Sequence, residues 1–595
     1  MQHFVRKQLQ LAIVAVVMCA ATCARAVETF AVRTQLGVET KMRDGTVLRA
    51  DIYRPDTEGK FPVLLQRTPY DKRNERGFGI KAAARGYVVV VQDVRGRYSS
   101  DGDWYPFKNE SNDGYDTVEW VASLPYANGK VGMFGGSYVG ATQMLTAIAH
   151  PPHLTAICPV VTASNYHDGW TYQGGAFEQW FNESWTSGLA QDTLSRAVDK
   201  YTNPLNGMWK VPLTEYPLFN LPAASSEPEL TRTLAPYFYD WLAHPNYDDY
   251  WKRWSIEEHF ADINVPILTI AAWYDIFLGG SLRNYIGVKQ HGGSEAARKG
   301  QRLLVMIGGH AGSGRKIGDV DFGASANFEE EDATLAWYDY VLKGVANEFA
   351  SPKPVKLFVM GANQWREEED WPLPRAHETK YFLHSSGKAN ALRGDGTLST
   401  VAARSESSDH YVYDPVNPAP TIGGPLCCDP KLLKPGPRDQ RPVESREDVL
   451  VYSTPVLAGD LEVTGPIKLE LFANSSAVDT DFIAKLVDVW PNGFAQNLTE
   501  GIVRARYRDS QEQPALMNPD QVYKFAIDMW ATSNVFLKGH RLRLEISSSN
   551  FPRFDRNMNT GEDAASARKG IPATNTIYHD AEHPSVLFLP IAGGQ

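Results

Sequence analysis

At 595 residues the chain is too long for a single hydrophobic core, so two or three domains are expected. Its 43% hydrophobic and 22% charged residues are those of a globular protein, uninterrupted by repeats or low-complexity tracts. Asp and Glu outnumber Lys and Arg by 70 to 59 with no basic cluster, which argues against nucleic acid or an anionic membrane as a partner.

The first element reads as a targeting segment. Arg6 and Lys7 precede an apolar run from Leu11 to Ala21, and Ala24-Arg25-Ala26 puts small residues at both specificity positions of a signal-peptidase site. The run is too short to span a bilayer. Met18 and Thr22 stand before Cys19 and Cys23, where a lipoprotein signal needs a small residue. Residues 1–26 are therefore expected to be a cleaved signal peptide, giving a secreted or periplasmic protein with no membrane contact after cleavage.

From Thr34 to about Leu342 strands alternate with helical stretches, the mark of a mostly parallel sheet covered on both faces. A hairpin turning at Asp44-Gly45 opens it. The runs Pro62–Gln66 and Tyr87–Gln92 follow, the second almost wholly apolar, as a strand buried on both faces should be. Next comes Asn128 to Phe134, which reaches Gly135-Gly136-Ser137-Tyr138-Val139-Gly140 and passes into the helix-favouring stretch Ala141–Ala149. A strand, a double glycine, a serine and a helix form the context of the nucleophile elbow of α/β-hydrolases. Val139 stands where the usual G-x-S-x-G pattern has its second glycine. On this segment alone, a Gly-rich turn whose serine caps the helix is the other reading.

Leu154–Val161, Val265–Ala271 and Arg302–Ile307 supply further strands. About a hundred residues between the first and second of these break the rhythm and are dense in aromatics, from Trp170 to Trp254. A helical cap inserted over the carboxyl edge of the sheet accounts for them, with most rings forming its core. Beyond Gly344 short alternating runs predict an all-β jelly roll, interrupted by a Pro/Gly-rich connection from Pro415 to Pro437. The expected division is residues 27–163 and 262–350 for the α/β-hydrolase core, 164–261 for the cap, and 351–595 for a galactose-binding-like β domain.

A serine needs a base within hydrogen-bond reach, and the base needs an orienting acid. Two residues in the right chain order each follow a strand: Asp275 after Val265–Ala271, and His310 after Arg302–Ile307. Ser281, Ser294 and His291 lack that context, and the pair His150 and His153 has no third metal ligand nearby. The backbone N–H of Tyr138 is one expected oxyanion donor, and the phenol of Tyr70, on the loop after Pro62–Gln66, is the other. Of the cysteines left after signal cleavage, Cys158 reads as a small buried hydrophobe. Cys427 and Cys428 are adjacent, either a strained ring disulfide or two thiols.

Several stretches together resemble the CocE/NonD hydrolases, the family of cocaine esterase, glutaryl-7-aminocephalosporanic acid acylase and X-Pro dipeptidyl-peptidase-like enzymes. They are Pro69-Tyr70-Asp71-Lys72, Gln92-Asp93-Val94-Arg95-Gly96-Arg97-Tyr98, Asp113–Trp120, Gly135–Gly140, Trp273-Tyr274-Asp275-Ile276-Phe277, Trp337–Gly344, Asp479–Val489 and Arg504–Arg508. In that family the glycine comes three places after the serine. The resemblance implies a Ser137, Asp275 and His310 triad, an oxyanion hole of Tyr70 and Tyr138, and no cofactor or metal. It also implies an acyl pocket of Phe277 faced by a cap tryptophan, with Trp185 the best match and Trp170 or Trp180 the alternatives. Family members that take α-amino acyl groups hold the ammonium with acids soon after the triad aspartate, where this chain has Ile276, Phe277 and Leu278. The expectation is thus an ester hydrolase for small molecules with an apolar or aromatic acyl group, acting through an acyl-enzyme. An amide-cleaving acylase, an X-Pro dipeptidyl-peptidase and a non-catalytic carbohydrate-binding protein are the alternatives. A monomer or a homo-oligomer would fit equally.

Overall fold

The computed structural model describes residues 29–194, 212–215, 234–310, 312–402 and 404–593. The expected signal segment and Trp209 of the cap lie outside them. The first sheet is built from β1 (Val32–Lys41), β2 (Val47–Pro55), β3 (Phe61–Thr68), β4 (Val88–Asp93), β5 (Ala127–Gly136) and β6 (Leu154–Val160). It continues through β7 (Leu268–Tyr274), β8 (Arg302–Gly309), β9 (Val355–Val359) and β10 (Gln364–Glu368). Their spatial order is β1-β2-β4-β3-β5-β6-β7-β8-β9-β10. The pairings from β4 through β9 are parallel, and the two outermost pairs on the β1 side and the β9–β10 pair are antiparallel. Helices cover both faces of the sheet, and β4 and β7 are buried at every position. Their uninterrupted apolar runs follow from that double coverage.

One boundary differs from the sequence reading. Val355–Val359 pairs in parallel with β8, and Gln364–Glu368 pairs with Val355–Val359, so the hydrolase sheet extends past residue 351. A short alternating run looks alike in either sheet. The parallel partner that claims it lies about fifty residues upstream, beyond the reach of a local pattern.

The residues after β10 form the all-β domain, with strands in the order Asp409–Tyr413, Ala573–Tyr578, Leu461–Ser475, Val586–Ala592, Ala376–His384, Thr397–Ser399, Leu450–Ser453, Arg541–Ser547, Asp481–Val489 and Ala495–Arg504. Tyr523–Phe536 adds to Leu461–Ser475 along most of its length. Apart from Ala376–His384 with Thr397–Ser399 and Asp481–Val489 with Ala495–Arg504, neighbours in this order come from distant parts of the chain, as in a jelly roll. The inserted segment between β6 and β7 carries the helices Gln179–Leu189 and Pro236–Ala243. Trp170, Trp180, Trp241 and Trp251 are fully buried within it. The insertion stands against the β domain as well as the sheet: Trp180 donates its backbone N–H to Pro552 O at 2.9 Å, and Phe177 donates its own to Asp555 Oδ1 at 2.8 Å.

Candidate active site

Ser137 sits between β5 and the helix Tyr138–Ile148 with φ 61° and ψ −128°, a left-handed conformation that few non-glycine residues adopt. Two glycines make this turn buildable. Gly135 has φ 119°, and a Cβ there would stand 2.5 Å from Val139 Cγ1. A Cβ at Gly140 would stand 2.7 Å from Thr162 Cβ, on the segment after β6. The helix's close approach therefore falls at residue 140, and Val139 instead fills the space over Gly135. This is the physical content of a glycine three places after the serine.

The turn aims Ser137 Oγ at His310, whose Nε2 lies 2.9 Å away. His310 follows β8, and its Nδ1 is 2.7 Å from Asp275 Oδ2. Asp275 follows β7 and is fully buried, and its other oxygen accepts the Phe277 backbone N–H at 2.7 Å. The three residues expected from strand order thus meet in one hydrogen-bonded line. With Asp275 holding the Nδ1 proton, Nε2 is left as the acceptor that a serine hydroxyl needs.

Tyr70 comes from the turn after β3. Its hydroxyl oxygen accepts the Trp185 indole N–H at 3.0 Å. An indole can only donate, so the phenolic proton is free for another acceptor. Burial pushes the Tyr70 phenol above its ordinary pKa, against lowering contacts from Trp185, Ser137 and the Tyr138 backbone, so it stays a donor. The turn is tied down from two sides. Lys72 donates its backbone N–H to Asp93 Oδ1 at 2.8 Å, and the buried Arg97 donates to Pro69 O at 3.0 Å and to Leu189 O at 2.6 Å.

Tyr138 contributes its amide to the helix start, while its side chain is buried beneath the elbow. The hydroxyl donates to Glu110 Oε1 at 2.9 Å and accepts the Phe107 backbone N–H at 2.7 Å. Glu110 is in turn paired with Arg67 at 2.7 Å, with both side chains essentially inaccessible. Arg67 lies at the end of β3, three residues before Tyr70. One buried ion pair therefore ties β3, which leads to Tyr70, to the Tyr138 side chain beneath the elbow, a link that sequence reading did not detect because its members lie 43 residues apart.

A cavity of about 290 Å³ opens on Ser137, Tyr70 and His310. Trp185 lines it, and the remaining wall is Leu426, Cys427, Cys428, Pro430, Leu433 and Pro435. That wall comes from the Pro/Gly-rich connection of the β domain, which the sequence marked only as an interruption. Among the described residues, no carboxylate lines the cavity. Phe277 is fully buried behind the His310 ring, edge-on at 5.2 Å, and the ring stacked on it at 4.5 Å is Trp170. The expected face-to-face partner Trp185 instead packs edge-on against Trp170 at 5.5 Å and meets the cavity directly. Aromatic spacing within the cap could not order these rings, since the insertion's own fold decides which one reaches the elbow.

Glu178, at the start of the helix Gln179–Leu189, is a second feature missed in the sequence. Both its carboxylate oxygens are buried and, among the described residues, lack a hydrogen-bond partner. Burial raises its pKa to about 8, only partly opposed by Arg553. A raised folded-state pKa means the folded chain holds this proton more tightly, so stability falls as pH rises from the ordinary carboxylate range towards about 8 and then levels off. Glu178→Gln removes that titration. Its thermal midpoint should match the parent near pH 4.5 and exceed it by a few degrees at pH 8. An advantage that is the same at both pH values would show that Glu178 does not carry a raised pKa.

The chain is similar to known proteins along nearly its whole length. Residues 44–312 match the model of the X-Pro dipeptidyl-peptidase (S15 family), and residues 347–588 match that of the X-Pro dipeptidyl-peptidase C-terminal non-catalytic domain. Cocaine esterase of Rhodococcus sp. (strain MB1 Bresler) is 40% identical over 574 residues, spanning 93% of this chain and 98% of that protein. An aminopeptidase from a marine sediment archaeon, Thaumarchaeota archaeon, superposes with a TM-score of 0.80 at 25% identity, covering 96% and 97% of the two chains. An α-amino acid ester hydrolase superposes with a TM-score of 0.79, also at 25% identity, covering 96% and 98%. A CocE/NonD family hydrolase from Staphylococcus aureus shares the fold at 20% identity, with a TM-score of 0.67 over 94% and 93%. With similarity running through both the hydrolase core and the β domain, this chain belongs to the CocE/NonD family of serine hydrolases.

Proposed function

We propose that the protein cleaves neutral carboxylic esters with an apolar or aromatic acyl group, through an acyl-enzyme on Ser137. The observation that carries this reading is the line Ser137 Oγ to His310 Nε2 at 2.9 Å and His310 Nδ1 to Asp275 at 2.7 Å, opening on an apolar cavity. His310 takes the serine proton as Oγ attacks the carbonyl carbon, and returns it to the leaving alcohol. The Tyr138 amide and the Tyr70 phenol stabilise the oxyanion that forms between them. Water then repeats the sequence on the acyl-enzyme and regenerates Ser137.

The cavity wall favours esters over substrates with a free α-ammonium. Burying an ammonium against leucine, proline and tryptophan would leave its charge uncompensated, and among the described residues none in the lining is an acid. Export is part of the proposal: the basic start, the apolar run and Ala24-Arg25-Ala26 support cleavage after Ala26.

Treating the purified protein with a fluorophosphonate and weighing it intact tests the reading. One adduct, located on Ser137 by peptide mapping, is expected. Folded protein that takes up no probe would sink the proposal. The same spectrum reads the mature N-terminus, which should be Val27.

A further inference from the structure

The loop that walls the cavity is closed at two levels. At its base, Gly424 and Gly436 exchange two backbone hydrogen bonds of 2.9 Å each. Near its start, the adjacent Cys427 and Cys428 are joined as a disulfide, and both line the cavity that holds Ser137 and His310. Cys428 has φ 63° and Asp429 φ 40°, left-handed conformations that residues with a Cβ keep only where their surroundings hold them. The Trp180 indole N–H points at the carbonyls of both cysteines, 2.9 Å from Cys427 O and 3.3 Å from Cys428 O. Trp180 and Trp185 belong to one helix, and Trp185 donates to the Tyr70 hydroxyl at 3.0 Å. The disulfide ring thus rests on the same helix that carries Trp185 into the cavity wall.

We propose that the Cys427–Cys428 disulfide is a specificity determinant of the acyl site, and that its reduction changes which esters the enzyme accepts. This rests on the reading of the cavity as the site of acyl binding. A phosphine in water breaks the S–S bond by a two-electron transfer. The phosphine leaves as its oxide, carrying the oxygen of one water, and the two protons of that water complete two thiols. With the ring open, Cys428 is released from its left-handed backbone and the carbonyls facing Trp180 can turn away. The wall then loses its fixed shape on the side facing Trp185. A large aromatic acyl group, which must contact that wall, loses binding. An acetyl group, confined to the space beside Ser137, does not reach it. Cys158 offers no alternative route for the reductant, being a fully buried thiol on β6 that burial makes still harder to ionise.

The test compares a benzoyl and an acetyl ester of the same alcohol, with the full-length protein before and after treatment with a water-soluble phosphine. Alkylation and mass analysis follow the state of the two cysteines. The expected result is a KM for the benzoyl ester raised about tenfold on reduction, an acetyl ester rate that does not change, and recovery on reoxidation. The double variant Cys427→Ser/Cys428→Ser should show the reduced enzyme's kinetics whether or not phosphine is present. If that variant does not fold, reversible reduction of the unaltered enzyme decides by itself. Equal benzoyl kinetics in both states, with the acetyl ester turned over, would overturn this inference and leave the functional reading standing. Two alkylatable thiols in the untreated enzyme would overturn it as well. An enzyme that turns over neither ester in either state would overturn the functional reading, and this inference with it.

Discussion

Ser137→Ala is expected to lower kcat by about six orders of magnitude, the scale of losing the nucleophile of a triad whose members act as one unit. The fold should be indifferent to the change. The Ser137 side chain makes no helix-capping bond, and its polar contacts, the 2.9 Å approach to His310 and the Tyr70 hydroxyl, lie within the site and do not hold the turn. The strained φ of 61° stays in place, because Gly135 and Gly140 determine it from either side of the turn. The thermal midpoint should therefore move little while turnover collapses. The measurement is a steady-state rate beside a melting curve, with a fluorophosphonate adduct absent from the variant. A variant that kept more than a hundredth of parental turnover would remove Ser137 from the nucleophile's role.

Asp275→Asn should reduce kcat by about 10⁴ with little change in KM. The size of the effect follows from which oxygen is already committed. Asp275 Oδ1 accepts the Phe277 N–H at 2.7 Å, so an asparagine keeps its carbonyl there and turns its amide towards His310. The His310 Nδ1 then faces a donor and must become the acceptor, which drives its proton to Nε2. An imidazole protonated at Nε2 cannot receive the proton of Ser137, although every heavy atom stays near its place. Because the substitution is isosteric and the Phe277 bond survives, the protein should remain folded. A rate within tenfold of the parent would mean that another acid orients His310.

Much of the proposed catalytic line could be read from the chain because it is fixed locally. Gly135, Ser137 and Gly140 are constrained by backbone geometry within one turn, and Asp275 and His310 stand where buried strands end. Such strands announce themselves as apolar runs. The Tyr70 turn was legible for a similar reason, as the loop directly after β3.

Other features depended on contacts between residues far apart in the chain. The sequence by itself determined the order of strands, the position of the elbow, and the serine, acid and histidine that face one another across it. Only the tertiary structure decided that Trp170, not Trp185, stacks on Phe277, and that β9 belongs to the hydrolase sheet. It alone brought the segment from Leu426 to Pro435 over the cavity, nearly three hundred residues after Ser137. It also paired Glu110 with Arg67 beneath the proposed oxyanion donors and left the Glu178 carboxylate buried without a hydrogen-bond partner among the described residues. The physical reason is the range of the forces involved. Backbone sterics and hydrophobic periodicity act over a few residues and leave their mark in local sequence. The walls of a site between domains are chosen by long-range packing, to which no single segment holds the key.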